Sequence, residues 1–109
     1  MTKNNNGKLT LSITNEVIEL YRVRRLRSMK LKETIPMMES ADYKERFKAE
    51  FYQLLIRLDN LTCMLIYWEN NTLDFEPKCS KETLENQVIF MKGYVDILLL
   101  RSKIEGIEL

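Results

Sequence analysis

The chain has no histidine, and only two cysteines, two prolines and three glycines among 109 residues. Without histidine, the side chain that titrates closest to neutrality is missing, so acid–base work would fall to carboxylates or lysines. The Asp and Glu residues stand at spacings typical of solvated helix faces. No glycine-rich phosphate loop, metal-ligand cluster or nucleophile–base pair is written in the sequence. It therefore reads as a non-enzyme, with no catalytic residue, cofactor or metal site. Cys63 and Cys79 have no ligand company and make no disulfide framework, so they read as two thiols in a reducing compartment. The opening Met-Thr-Lys-Asn-Asn-Asn-Gly lacks the apolar run of a secretory signal, and no unbroken apolar stretch reaches the ~20 residues of a membrane span.

Net charge is close to balance at +1, which argues against bulk nucleic-acid or membrane attraction. The balance is uneven along the chain. Residues 1–40 carry eight Lys/Arg against four Asp/Glu, a net of +4; residues 41–109 carry nine against twelve, a net of −3. An anionic partner would meet the N-terminal third first.

What is present in quantity is apolar periodicity. From Asp42 to Trp68, apolar residues fall at Phe47, Phe51, Leu54, Leu58, Leu61, Leu65 and Trp68, in alternating steps of four and three. Those are the steps of a helix packed on another helix. Ser40 and Asp42 supply capping oxygens, and Glu39, Asp42 and Glu45 put negative charge at the helix's positive end. The helix is expected over Ala41–Glu69, with Asn70 and Asn71 ending it. After a connector in which Phe75 is expected to tuck onto the helix ends, Ser80 caps a second helix. Its seam is Leu84, Val88, Met91, Val95 and Leu98. Gly93 lies inside it at a cost of about 1 kcal/mol against Ala, a glycine that would fit a close helix–helix approach. Gly106 is placed to terminate it, and Ile107-Glu108-Leu109 is apolar enough to dock.

The N-terminal third is less regular. Residues 1–7 are polar and read as a disordered tail. Leu9, Leu11 and Ile13 alternate with Thr10, Ser12 and Thr14 as in a half-buried strand, and Tyr21-Arg22-Val23-Arg24 alternates too. A β-hairpin over 8–14 and 17–24 is the preferred reading of an ambiguous segment, since a helix over 17–32 would have no clean apolar face. A short helix is expected around Leu31–Met38, with Pro36 at its start or breaking it.

The fold class is thus mainly α: a tail over 1–7, a basic segment over 8–39 and a long antiparallel helical hairpin over 40–109. Each long helix also carries apolar residues beside its seam: Leu55, Ile56, Ile66 and Tyr67 on the first, Phe90, Tyr94, Ile97 and Leu99 on the second. A two-helix hairpin buries one stripe per helix. The basic segment is too short to cover the rest, so a homo-oligomeric helical bundle is expected, with Leu55, Ile56, Ile66, Phe90, Tyr94 and Ile97 at the interface. Gln87 and Arg101, polar on an apolar helix, would face a pocket between copies.

The strongest local charge is Arg22, Arg24, Arg25, Arg27, Lys30 and Lys32. Arginine clusters hold phosphates in two-pronged fashion. Arg22, Arg24, Arg25 and Arg27, with Tyr43 for stacking and Arg46, form the expected ligand-binding set. A small phosphorylated ligand fits this charge scale better than DNA. A solvated basic face is the plain alternative.

Several motifs then add up to a resemblance: Asp42-Tyr43-Lys44-Glu45-Arg46-Phe47, Ala49-Glu50-Phe51, Trp68, Leu73-Asp74-Phe75-Glu76-Pro77, Cys79, the spacing Gln87–Met91–Tyr94, and the ending Ile104 to Leu109. Over about residues 40–109 the chain resembles small helical proteins of unknown function from crAss-like and related gut phages and prophages. The resemblance implies a phage or prophage origin and the cytoplasm of a bacterial host, and carries over no functional residues. Three functions compete. The first is an oligomeric module that sequesters a small anionic, nucleotide-type host signal as a counter-defence. The second is a protein–protein adaptor or inhibitor acting through an exposed apolar helix face. The third is a nucleic-acid accessory protein using Arg22 to Lys32.

Overall fold

The computed structural model describes residues 29–109 and, before them, two short strands, β1 (Thr2–Lys3) and β2 (Leu9–Thr10), paired antiparallel with Thr2 opposite Thr10. Of the β-hairpin expected over 8–14 and 17–24, only Leu9–Thr10 is described, and it pairs with Thr2–Lys3 of the expected tail; the rest of that hairpin and of the tail lies outside the described residues. A 3-10 turn over Leu31–Thr34 leads into α1 (Ile35–Met38), with Pro36 in its first turn, where a missing N–H costs nothing. Then come α2 (Tyr43–Glu69) and α3 (Lys81–Glu105).

The helix ends are set by the residues that the sequence offers. Asp42 caps α2: its Oδ1 accepts the Lys44 N–H at 3.0 Å, and its own N–H donates to Ser40 Oγ at 3.0 Å. Asn71 takes a left-handed φ of 58° just past the C-cap Asn70. Ser80 Oγ accepts the Thr83 N–H at 3.1 Å to open α3. Gly106 ends it at φ 67°, a conformation a Cβ would strain, and turns Ile107 back into the core, 5% exposed.

The contacts between α2 and α3 run in opposite order along the two helices. Lys81 meets Trp68 and Glu69, Tyr94 meets Glu50, and Arg101 meets Phe47. The expected seams face each other, but they bury unequally. Phe47, Phe51, Leu54, Leu55 and Leu58 on α2 and Val95 and Leu98 on α3 are buried in one cluster. Farther along, Leu61, Leu65 and Trp68, and Leu84, Val88 and Met91, are only half-buried. Among the described residues, none from Asp59 to Tyr94 is fully buried. Two helices leave each other's flanks open to water; only where a third element is added does a dry core form.

That third element is the segment before α2. Thr34, fully buried, donates from Oγ1 to the Leu31 carbonyl at 2.6 Å and accepts from Gln53 Nε2 at 2.8 Å. The Gln53 bond fastens the turn before α1 to α2, and Met29, Leu31 and Met37 pack on the core. Leu55 and Ile56, expected at an oligomer interface, are 0% and 7% exposed inside the chain's own core, because residues 29–38 reach farther over α2 than their length suggests. Leu99 is likewise packed against the core. Phe75, expected to tuck in, is 54% exposed. A Cβ at Gly93 would meet nothing within 4 Å, so the close approach expected there does not occur among the described residues.

Leu55→Ala should cost about 2–5 kcal/mol in denaturant unfolding, because the cavity opens inside a three-helix contact, and should leave the native mass in size exclusion unchanged. Thr34→Val should cost about 0.5–1.5 kcal/mol by removing the hydrogen bonds that Thr34 Oγ1 donates to the Leu31 carbonyl and accepts from Gln53.

Candidate functional site

Of the expected ligand-binding set, Arg22, Arg24, Arg25 and Arg27 lie outside the described residues. Tyr43 and Arg46 are both exposed on the first turns of α2. The two are three residues apart and so share a helix face. Arg46 is partly committed to structure: its Nη1 donates to the Ser40 carbonyl at 2.7 Å and closes the loop before the helix.

A cavity of about 290 Å³ opens nearby, lined by Met37, Glu45, Lys48, Tyr52, Glu108 and Leu109. Lys48 is already paired with Glu45 at 3.1 Å. With Glu108 added, the lining carries more carboxylate than ammonium, which suits an anion poorly. Neither Tyr43 nor Arg46 lines it.

The other built feature is on the α2–α3 face. Tyr94 Oη donates a hydrogen bond to Glu50 Oε2. The carboxylate accepting that proton, together with desolvation, holds the Tyr94 phenol above its ordinary titration range, and the positive charge of Arg101 opposes the shift. Arg101 lies with its guanidinium carbon 4.8 Å from the Phe47 ring centre and its Nε 3.1 Å from Glu105 Oε2. It thus covers the edge of the core while holding a positive charge near Tyr94. Around this polar group runs an apolar surface: Phe90 is 78% exposed and Ile104 74%, with Ile97 and Leu100 also exposed. Ile66, Phe90, Tyr94 and Ile97 of the expected interface set are therefore surface residues.

At the far end, Lys81 Nζ bonds Glu69 Oε2 at 2.7 Å and stands 5.4 Å from the Trp68 ring centre. The lysine holds the exposed Glu69 carboxyl below its usual range. On the flank of α3, partial burial pushes the Lys92 ammonium down and the Asp96 carboxyl up. Cys63 is half-buried and Cys79 exposed, and neither is in a disulfide. Among the described residues no group of three His, Cys, Asp or Glu is placed to hold a metal, and no helix is long and apolar enough to cross a membrane.

Arg101 stands out in the sequence as a charge on an apolar helix. Glu50 does not, because its partner is 44 residues away and its own neighbours look like a solvated face. Gln87, singled out with Arg101, is exposed and donates to Met91 Sδ at 3.8 Å.

Replacing the acceptor tests the Glu50–Tyr94 pair. With Glu50→Gln the negative charge is gone and Tyr94 should ionise at lower pH, read by ultraviolet tyrosinate absorbance and assigned by loss of that step in Tyr94→Phe. A phenol raised on folding supports the fold below its unfolded pKa. That support is lost as pH rises through the folded value, so wild type should lose stability in alkali more steeply than Tyr94→Phe.

No curated protein and no solved structure matches the chain. A family profile described as Sequestin matches residues 41–104, the stretch from the turn before α2 almost to the end of α3. That is more than half of the 109 residues and takes in Glu50, Tyr94 and Arg101; the chain belongs to the Sequestin family.

Proposed function

We propose that this protein is a non-enzymatic binding module of phage or prophage origin that assembles into a homo-oligomeric bundle of helical hairpins and sequesters a small anionic, nucleotide-type signal in the cytoplasm of its bacterial host. The observation that carries the reading is membership of a family named for sequestration, matched across both long helices. Capture needs a surface that holds a molecule without transforming it. The α2–α3 face fits that need, with an arginine, a tyrosine ring and a broad apolar border. Arg101 and Tyr94 supply the charge and the ring that a phosphorylated nucleoside would engage. The basic residues Arg22, Arg24, Arg25 and Arg27, with Tyr43 and Arg46, add a positive approach on a chain whose first forty residues carry a net of +4. The cavity beside Glu45 and Glu108 is the wrong sign for this ligand.

A second reading is favoured by the 78% exposure of Phe90: the same α3 face gripping a host or phage protein. A stoichiometric protein recovered with the tagged chain, and absent with Phe90→Ala, would favour that adaptor over capture of a small molecule.

Thermal unfolding with a panel of cyclic and linear nucleotides tests the first reading. A ligand at a hundredfold its Kd should raise Tm by roughly 10–20 °C in a domain this size. Arg101→Ala should reduce that shift by more than half. No shift with any nucleotide at millimolar concentration would remove the capture reading.

A further inference from the structure

Helix α3 has two apolar sides. The inner side buries Val95 and Leu98. The outer side carries Phe90, Tyr94, Ile97, Arg101 and Ile104, all exposed, in steps of four, three, four and three. Those are again the steps of a helix that meets another helix; Tyr94 and Arg101 border α2 through Glu50 and Phe47, while Phe90, Ile97 and Ile104 stay more than half exposed.

The outer stripe reads alike in both directions from Ile97. Tyr94 and Phe90 lie three and seven residues before it; Leu100 and Ile104 lie three and seven after it. A two-fold contact uses one patch on both molecules, so residue i must suit residue j in both directions. We infer that α3 packs antiparallel against α3 of a second copy, with Ile97 on the two-fold axis.

In that register Phe90 meets the partner's Ile104, and Tyr94 meets the partner's Leu100. Gly93 falls opposite the partner's Arg101. Among the described residues nothing lies within 4 Å of a Cβ at Gly93, so a longer side chain from a second copy has room. Charge agrees with the same pairing. Glu50, bonded to Tyr94, brings a carboxylate to the side where the partner's Arg101 arrives. A parallel pairing would instead set Arg101 against the partner's Arg101, like charge on like charge. The interface puts two Arg101 and two Tyr94 along one face, which deepens the oligomeric part of the function proposed above and does not depend on its ligand.

Cysteine placed on a two-fold axis meets its own copy. In a Cys63→Ser, Cys79→Ser background, Ile97→Cys should form a covalent dimer under mild oxidation. Phe90→Cys alone should not, because the two copies of that position stand about 20 Å apart in this register. Mixing Phe90→Cys with Ile104→Cys chains should give the mixed dimer. Ile97→Glu and Gly93→Leu, both altering open surface, should sediment as monomers with unchanged helical circular dichroism. A wild-type chain that sediments as a monomer at hundreds of micromolar would overturn the inference. So would a dimer that persists in Ile97→Glu, or cross-linking through Phe90→Cys and not through Ile97→Cys. These measurements need no nucleotide. A dimer that binds none keeps this inference and loses the capture reading; a monomer that binds one does the reverse.

Discussion

Everything in this fold depends on a third partner at one end of a helix pair. Helix α2 is 27 residues long and α3 is 25, yet a dry core exists only where residues 29–38 and Ile107 close over them. Two rods in contact each show water most of their circumference, so contact along a seam half-buries its residues and no more. Adding α1 removes water from a second side of α2, and there Phe51, Leu55 and Leu58 fall to 0–1% exposed. The Thr34–Gln53 bond ensures that the added segment arrives with its polar atoms satisfied.

The same arrangement decides what the surface can be. The closing segment occupies the flank of α2, while the outer side of α3 keeps its apolar stripe in water. Polar contacts border that stripe. Arg101 lies across the Phe47 ring and Glu50 holds the Tyr94 hydroxyl, so charge and aromatic surface stand in fixed positions on the two helices. Preorganised groups of this kind lose little freedom when something docks on them, which is the property a capturing protein requires.

Much of the architecture was legible in the sequence because it rests on local chemistry and period. The alternating steps of four and three marked both long helices, and Ser40 with Asp42, Asn71, Ser80 and Gly106 marked their ends within two residues. The inward side of α3 was read from Leu84 to Leu98, and the docking of Ile107 from its apolar character. Leu55 and Ile56 were misplaced because periodicity reveals that a second side is apolar without revealing what covers it. The basic segment over 8–39 looks too short for that task when only its length and charge are counted; Thr34 and Gln53, 19 residues apart, give no local sign of being bonded. Half of the site was hidden for the same reason. Arg101 is conspicuous as a charge among leucines, whereas Glu50 acquires its meaning only from Tyr94 across the helix contact.

The uneven distribution of dry core along the rods also sets where the native chain breathes. The turns around Ile66 to Lys81 are held by half-buried side chains and one solvent-exposed ion pair, so little apolar surface must be wetted to release them. Amide protons there would exchange through local fraying, whereas those from Phe51 to Leu58 would wait for the whole domain to open. The molecule is in effect a firm handle with two pliant tips, and anything that grips the tips must supply the order they lack.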